Sequence, residues 1–210
     1  MSLWVIVPVK PLRRSKSKLT NVLSEDERAI LNLTMYENTL KALQNISIPH
    51  QVLVVSKDSS VLSLARSYKT KTLQEDGESG LNIALKKSIQ VINAYSAQSV
   101  LILPADLPFI TQEDLEGVMN FVEVKPFMLI SPDRKMNGTN LLYVSPPDLI
   151  EFSFGPGSFE RHVRQAQFNN AHIEVRKFNG TELDIDSPED LELFQKLVSY
   201  ERKNQVTQVS

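Results

Sequence analysis

The 210-residue chain contains no cysteine. That excludes a disulfide scaffold, a thiolate metal site and a cysteine nucleophile. Histidine is scarce, with only His50, His162 and His172. His50 follows a proline in a loop and His172 begins a strand, so both read as structural, and no serine or cysteine triad is suggested. Charge of one sign is also lacking. A net charge of −2 gives no global attraction to nucleic acid or acidic membranes. No apolar run approaches the ~20 residues of a membrane span. The opening MSLWVIVPVK is apolar but short, lacks a basic segment and is interrupted by Pro8, so it reads as a core strand rather than a signal peptide. With 41% hydrophobic residues the chain can bury a real core. The expectation is a soluble cytosolic protein with no nucleic-acid or membrane partner. One domain spans residues 1–200, and a polar, frayed tail spans 201–210.

Residues 3–9 form a near-continuous apolar run rich in valine, the pattern of a strand buried on both faces. Ser24 with Glu27 reads as a capping box opening a helix to about Gln44, with Ile30, Leu33, Tyr36, Leu40 and Leu43 on its inner face. Strands follow at 51–56, 100–103, 127–131, 141–144 and 172–178. Helices are expected at 59–68, 81–94, 111–122 and 159–167, and a last one opens at Ser187-Pro188 with proline at N1. The inner face of the 81–94 helix is Leu81, Ala84, Leu85, Ile89 and Ile92. Alternating strands and helices argue for an α/β layer around a mixed, mostly parallel sheet. In such sheets ligands bind beyond the carboxyl ends of strands. Segments 10–18, 104–108 and 184–186 fall there.

Five groups of residues carry chemistry. Lys10, Arg13, Arg14, Lys16 and Lys18 crowd a loop after the first strand that has no glycine, so its positive field must come from side chains. That suits a nucleoside triphosphate; a solvated basic loop is the plain alternative. In LILPADLPFI, a proline on each side stiffens the backbone around Asp106, which reads either as a magnesium ligand at a strand tip or as a turn aspartate. In Asp184-Ile185-Asp186, an extended backbone points both carboxylates one way and Ile185 the other. Asp186 also suits the positive end of the following helix. FGPGSFERHVR makes a tight turn, and Ser158 opens a helix whose free amides can take an anion, with Arg161, His162 and Arg164 adding positive charge; an ordinary serine-capped helix start is the equal alternative. The acidic loop Glu75-Asp76-Gly77-Glu78 beside GLNIAL can supply a carboxylate or carbonyl to guanine N1–H and its amino group, though a polar loop entering an amphipathic helix is the better account of any single acid.

VPVKPLRRSKSKL, GLNIAL, LPADLP, the GTN of Gly138-Thr139-Asn140, FGPGSF and DIDSPEDL occur in this order in the guanylyltransferases of the CofC/FbiD family, and the chain resembles that family over about residues 3–198. The resemblance implies a Rossmann-like nucleotide-diphospho-sugar transferase fold. It implies transfer of GMP from GTP to a phosphorylated three-carbon acid, with pyrophosphate released, in synthesis of coenzyme F(420). The acid is phosphoenolpyruvate, 2-phospho-L-lactate or, as a variation, 3-phosphoglycerate. By the same resemblance, Asp106, Asp184 and Asp186 hold magnesium, expected as two ions. Lys10, Arg13, Lys16 and Lys18 meet the triphosphate, and Gly80, Leu81, Asn82, Pro104 and Ala105 meet the nucleotide. Thr139, Asn140, Gly155, Ser158 and Arg161 form the acceptor site. A homodimer is a further expectation from the fold. Lys18 departs from the family, where arginine is usual, and so keeps the charge without the bidentate fork.

Such a reaction needs positioning and charge neutralisation, with Lys10, Lys16, Lys18 and Asp106 as the catalytic groups. The acceptor phosphate is already ionised, so no general base is required. Two other nucleotidyltransferases of the fold compete, a molybdopterin guanylyltransferase and a sugar-phosphate cytidylyltransferase; the missing glycine-rich first loop speaks against both. A non-catalytic nucleotide- or RNA-binding module is the alternative from another class.

Overall fold

A computed structural model describes residues 2–77, 80–120 and 125–207, the last seven by backbone course alone. Its centre is a seven-stranded sheet with spatial order β3-β2-β1-β4-β6-β5-β7. The strands are β1 (Leu3–Pro8), β2 (Gln51–Ser56), β3 (Lys71–Gln74), β4 (Ser99–Ile102), β5 (Phe127–Pro132), β6 (Thr139–Ser145) and β7 (His172–Val175). The helices are α1 (Glu25–Gln44), α2 (Ser59–Ser67), α3 (Leu81–Ala94), α4 (Gln112–Met119), α5 (Ser158–Phe168) and α6 (Pro188–Thr207). β6 alone runs against its neighbours: β1 is parallel to β2 and β4, β2 to β3, and β5 to β7, while β6 is antiparallel to both β4 and β5. This is the mixed, mostly parallel α/β sheet that the sequence implies.

The two faces of β1 show how the layers form. Leu3, Val5 and Val7 pack with α1, α2 and α4 residues such as Leu40, Val61 and Leu115. Trp4 and Ile6 point the other way, to Ala84, Leu85 and Ala166 of α3 and α5. Alternation within one apolar strand therefore covers the sheet on both sides. Each such side chain gains on the order of 1.5–3 kcal/mol from burial. A third cluster joins Leu19, Met35, Ile185 and Leu191. It ties the end of the cationic loop to α1 and to the segment before α6.

Several expectations change. β3 is an edge strand of four residues with no fully buried side chain, too short and too polar to stand out in the sequence. β7 stops at Val175 rather than 178; beyond it Ser131 Oγ donates to the Arg176 carbonyl and the chain turns away. The buried stripe of α1 is Asn32, Met35, Tyr36, Thr39, Leu40, Ala42 and Leu43, so Leu33 is only half-buried and Ile30 is 64% exposed. The stripe is rotated because polar Asn32 faces inward to hold the cationic loop. In α3, Ala84, Leu85 and Ile92 are buried as expected, together with Ser88, while Leu81 and Ile89 pack at the margin. α4 is capped by Thr111 with Asp114 as its reciprocal partner and ends before Asn120; Val122 of the expected helix lies outside the described residues. Capping of α6 by Ser187 and Asp190 is reciprocal in the same way, and this helix runs on to Thr207. Among the described residues no helix is long and apolar enough to cross a membrane.

Candidate active site

β1 lies between β2 and β4, so the loops leaving β1 and β4 diverge at a topological switch point. A cavity of about 550 Å³ opens there, lined by Lys10, Arg14, Lys16 and Lys18 from the first loop, Pro104, Ala105 and Asp106 after β4, and Gly80 and Leu81 at the start of α3. Its size suits a nucleotide.

The cationic loop is shaped from α1. Asn32, itself buried, donates its amide to the Leu12 carbonyl (2.8 Å) and to Ser15 Oγ (2.7 Å). Arg28 Nη1 donates to the Ser15 carbonyl (3.2 Å), and Asp58 Oδ2 accepts from the Leu12 amide (3.2 Å). Lys16 then takes a left-handed backbone, φ 55°. For a lysine this costs about 1–2 kcal/mol. Its side chain is only 5% exposed, and Nζ lies 3.5 Å from both Asp106 Oδ2 and Asp186 Oδ1. Two acids distant in sequence thus share one ammonium.

The acids meet through the backbone as well. Leu107 and Pro108 are buried and leave Asp106 at the cavity edge. The Ile185 amide donates to the Asp106 carbonyl (3.4 Å), and Ile185 is fully buried in the third cluster. Burial, then the nearby Asp106 and then Asp186 push the Asp184 carboxyl up to about 6. Asn140 Nδ2 donates to the Thr181 carbonyl (2.9 Å) and to Asp184 Oδ1 (3.4 Å). Among the described residues no group of three or more acids or histidines stands ready-made around a metal position, since Lys16 lies between two of the carboxylates. The donor chemistry nonetheless suits a hard divalent cation: three carboxylate groups, two of them already sharing one positive charge and the third raised by both.

Asn140 links this cluster to a second one on the GTN and FGPGS segments. Thr139 Oγ1 lies 3.0 Å from Ser158 Oγ, which donates to it, and 3.1 Å from His162 Nδ1. His162 Nε2 accepts from the Ser153 amide (3.0 Å), so the proton sits on Nδ1 and points at Thr139. The turn carries Gly155 at φ 120° and Gly157 at φ 74°, conformations that side chains resist. It is fastened from both sides: Asn137 Oδ1 accepts from the Gly157 amide (3.1 Å), while Asn82 donates to the Phe154 carbonyl (3.1 Å) and accepts from its amide (2.8 Å).

Most of the expected residues therefore fall into two linked groups. Lys10, Lys16, Lys18, Gly80, Leu81, Pro104, Ala105, Asp106 and Asp186 line the cavity, with Asp184 beside it; Thr139, Asn140, Gly155 and Ser158 form the second group. Three residues sit differently. Arg13 turns out to the acids of α1, 2.6 Å from Asp26, and Arg14 faces the cavity instead. Asn82 is occupied as the clasp of the turn. Arg161 folds back on the same turn, its Nη1 and Nη2 donating to the Pro156 and Ser153 carbonyls at 2.7 Å each. Two added charges also fail. Burial, with Arg161 alongside, holds His162 down to about 4, so it is neutral near pH 7, and Arg164 pairs with Glu160 at the surface. Ser158 is the first helical residue rather than the cap, which is Gly157.

Residues 3–201 match the family described as "Guanylyl transferase CofC like". The chain belongs to that family. A phosphoenolpyruvate guanylyltransferase of Rubrobacter xylanophilus is 40% identical over 91% of this chain and 92% of its own length. A 2-phospho-L-lactate guanylyltransferase of Methanocaldococcus vulcanius is 36% identical over 89% of this chain and 81% of its own. In fold, the chain superposes with a TM-score of 0.74 on a Desulfovibrio desulfuricans G20 protein described as a candidate nucleotide-diphospho-sugar transferase, at 17% identity over 92% of this chain and 87% of that one. With 4-diphosphocytidyl-2C-methyl-D-erythritol synthase of Anaerococcus prevotii the TM-score is 0.64, at 9% identity over 94% and 96%.

For this CofC-like chain, several cavity residues escape reading by sequence: Ser15, Asn32 and Lys57; Glu75, from the acidic loop singled out in the sequence, also lines the cavity. Asn32 leaves a trace, a polar residue on an apolar stripe. Lys57 leaves none beyond its position after β2.

Proposed function

We propose that this protein transfers GMP from GTP to a phosphorylated three-carbon acid, releasing pyrophosphate, as a step in synthesis of coenzyme F(420). Phosphoenolpyruvate and 2-phospho-L-lactate are the two candidate acceptors, in keeping with the names of its relatives. The observation that carries the proposal is the meeting of Asp106, Asp184 and Asp186 at the edge of a lysine-lined cavity, next to the Thr139–Ser158 cluster.

An oxygen of the acceptor phosphate attacks the α-phosphorus of GTP. A phosphorus–oxygen bond forms there, and the bond to the β-phosphate bridge breaks. Pyrophosphate leaves with the electron pair, and no proton need move. Lys10, Arg14, Lys16 and Lys18 hold the triphosphate and take up charge as it shifts toward the leaving group. Asp106, Asp184 and Asp186 would hold magnesium, which when bound neutralises phosphate charge and orients the reacting oxygens. The Thr139 hydroxyl, held by Ser158 and His162, together with the Gly155 amide of the glycine turn, orients the acceptor acid.

Asp106→Asn tests this directly. Pyrophosphate release from GTP with phosphoenolpyruvate or 2-phospho-L-lactate is expected to fall about 100-fold or more, with the melting curve still cooperative. A folded, fully active variant would falsify the role of Asp106. Mass spectrometry of products from both acceptors, offered in parallel, identifies the acid.

A further inference from the structure

The proposed reaction uses the acid end of the cavity; the opposite wall carries a carboxylate that none of its steps employs, from the acidic loop whose individual acids the sequence left undistinguished. Glu75 follows β3, three strand intervals across the sheet from β4 and Asp106. At ~4.8 Å per interval that is roughly 14 Å, on the scale of a nucleoside monophosphate laid across the strand ends. Glu75 lines the same cavity as Lys16 and Asp106. Its backbone is fixed, the amide donating to the Ser56 carbonyl (3.0 Å).

Its carboxylate is half-buried, and among the described residues no group donates a hydrogen bond to it. Burial raises its pKa, and the nearby Lys57 and Lys87 oppose that without bridging to it. Both ammonium groups are engaged on the adjoining loop backbone: Lys57 Nζ donates to the Gly77 carbonyl (2.7 Å) and Lys87 Nζ to the Asp76 carbonyl (2.8 Å). The carboxylate is thus left open to the cavity rather than spent on a protein donor. A ligand bearing two adjacent N–H groups would satisfy it.

We infer that Glu75 reads the base of the nucleotide, its two carboxylate oxygens accepting from guanine N1–H and the 2-amino group. Guanine offers this pair of parallel donors. Adenine and cytosine present a ring-nitrogen acceptor there, and uracil flanks its single N–H with two carbonyls that a carboxylate repels. The carboxylate therefore selects guanine by attraction and turns away the other bases by repulsion. The inference rests on the proposed use of GTP and assigns the residue that enforces it.

The test compares GTP with ITP, which keeps N1–H and lacks the 2-amino group. Binding of each to the protein is measured by calorimetry, and kcat/KM wherever transfer occurs. The wild type is expected to favour GTP by about 10- to 100-fold, the range of one hydrogen bond to a charged group. In Glu75→Gln and Glu75→Ala the preference should shrink toward unity, with ITP binding less affected than GTP binding. A merely structural role would weaken both nucleotides alike and leave the ratio intact. An unchanged ratio in a variant that melts cooperatively, a wild type that does not distinguish GTP from ITP, or no binding of either overturns the assignment. Binding discrimination without GMP transfer to any acceptor would instead overturn the proposed reaction and leave Glu75 standing.

Discussion

At the scale of single residues, His162 and Asp184 are both held away from their ordinary protonation, in opposite senses for stability. His162 is fully buried with its pKa near 4, against 6.5 ordinarily. A depressed histidine contributes stability above pH 6.5, and that stability is lost as the pH falls toward 4, because only the unfolded chain takes up the proton in that interval. The contribution is about 3 kcal/mol at most. Asp184, raised to about 6, does the reverse. Its ionised form strains the fold above pH 6, and acidification toward 4 relieves that strain. The wild type should therefore lose little stability between pH 6.5 and 4 from this pair. Asp184→Asn removes the compensating half. That variant is expected to melt a few degrees higher than wild type at pH 8, by roughly 2–4 °C for each kcal/mol, and to lose stability more steeply on acidification. Melting curves across pH 4–8 check both arms. A variant less stable than wild type at pH 8 would show that the three acids do not strain one another.

At the scale of elements, α1 acts as the mould of the cationic loop. Asn32 and Arg28 on this helix donate to the carbonyls of Leu12 and Ser15, so a loop without glycine still takes a fixed course that includes left-handed Lys16. Asn32→Ala removes two hydrogen bonds, one of them to a buried hydroxyl. A cost of about 1–3 kcal/mol is expected, with KM for GTP raised more than kcat is lowered. Steady-state kinetics varying GTP at saturating acceptor decide it; a lowered kcat with KM unchanged would place Asn32 in the chemistry rather than in the mould. Much at this scale was legible in the sequence. The capping boxes of α1 and α4, the proline start of α6 and the valine-rich run of β1 depend on neighbours within a few residues. β3 and the rotated face of α1 were not legible, because one takes its identity from pairing with β2 and the other from contacts with a loop some twenty residues earlier.

At the scale of the molecule, triphosphate loop, acids and acceptor cluster stand on separate elements around one switch point, so binding should stiffen the whole. GTP with magnesium at about 100 times its dissociation constant adds about 2.7 kcal/mol, which for a chain of this size corresponds to a rise in Tm of roughly 5–10 °C. The rise with GTP alone should be much smaller, since three carboxylates then face the triphosphate with only lysines between them. Thermal shift measured with GTP, with and without magnesium, checks this. An equal shift without the metal would favour a binding module over a transferase.

By itself the sequence determined the α/β alternation, the candidate acids and the order of motifs that resembles the CofC/FbiD family, because these are matters of residue type and short-range spacing. In LILPADLPFI it also marked Asp106 as a charge held stiffly at a strand end. Tertiary structure alone decided that Asp106 and Asp186 share Lys16 and that Asp184 feels both. It also decided that Arg13 turns out while Arg14 turns in, that His162 is neutral, and that Glu75 faces the cavity. The physical reason is common to all of these. Ion pairing, desolvation and access to a cavity depend on distances between segments far apart in the chain, and folding alone sets those distances.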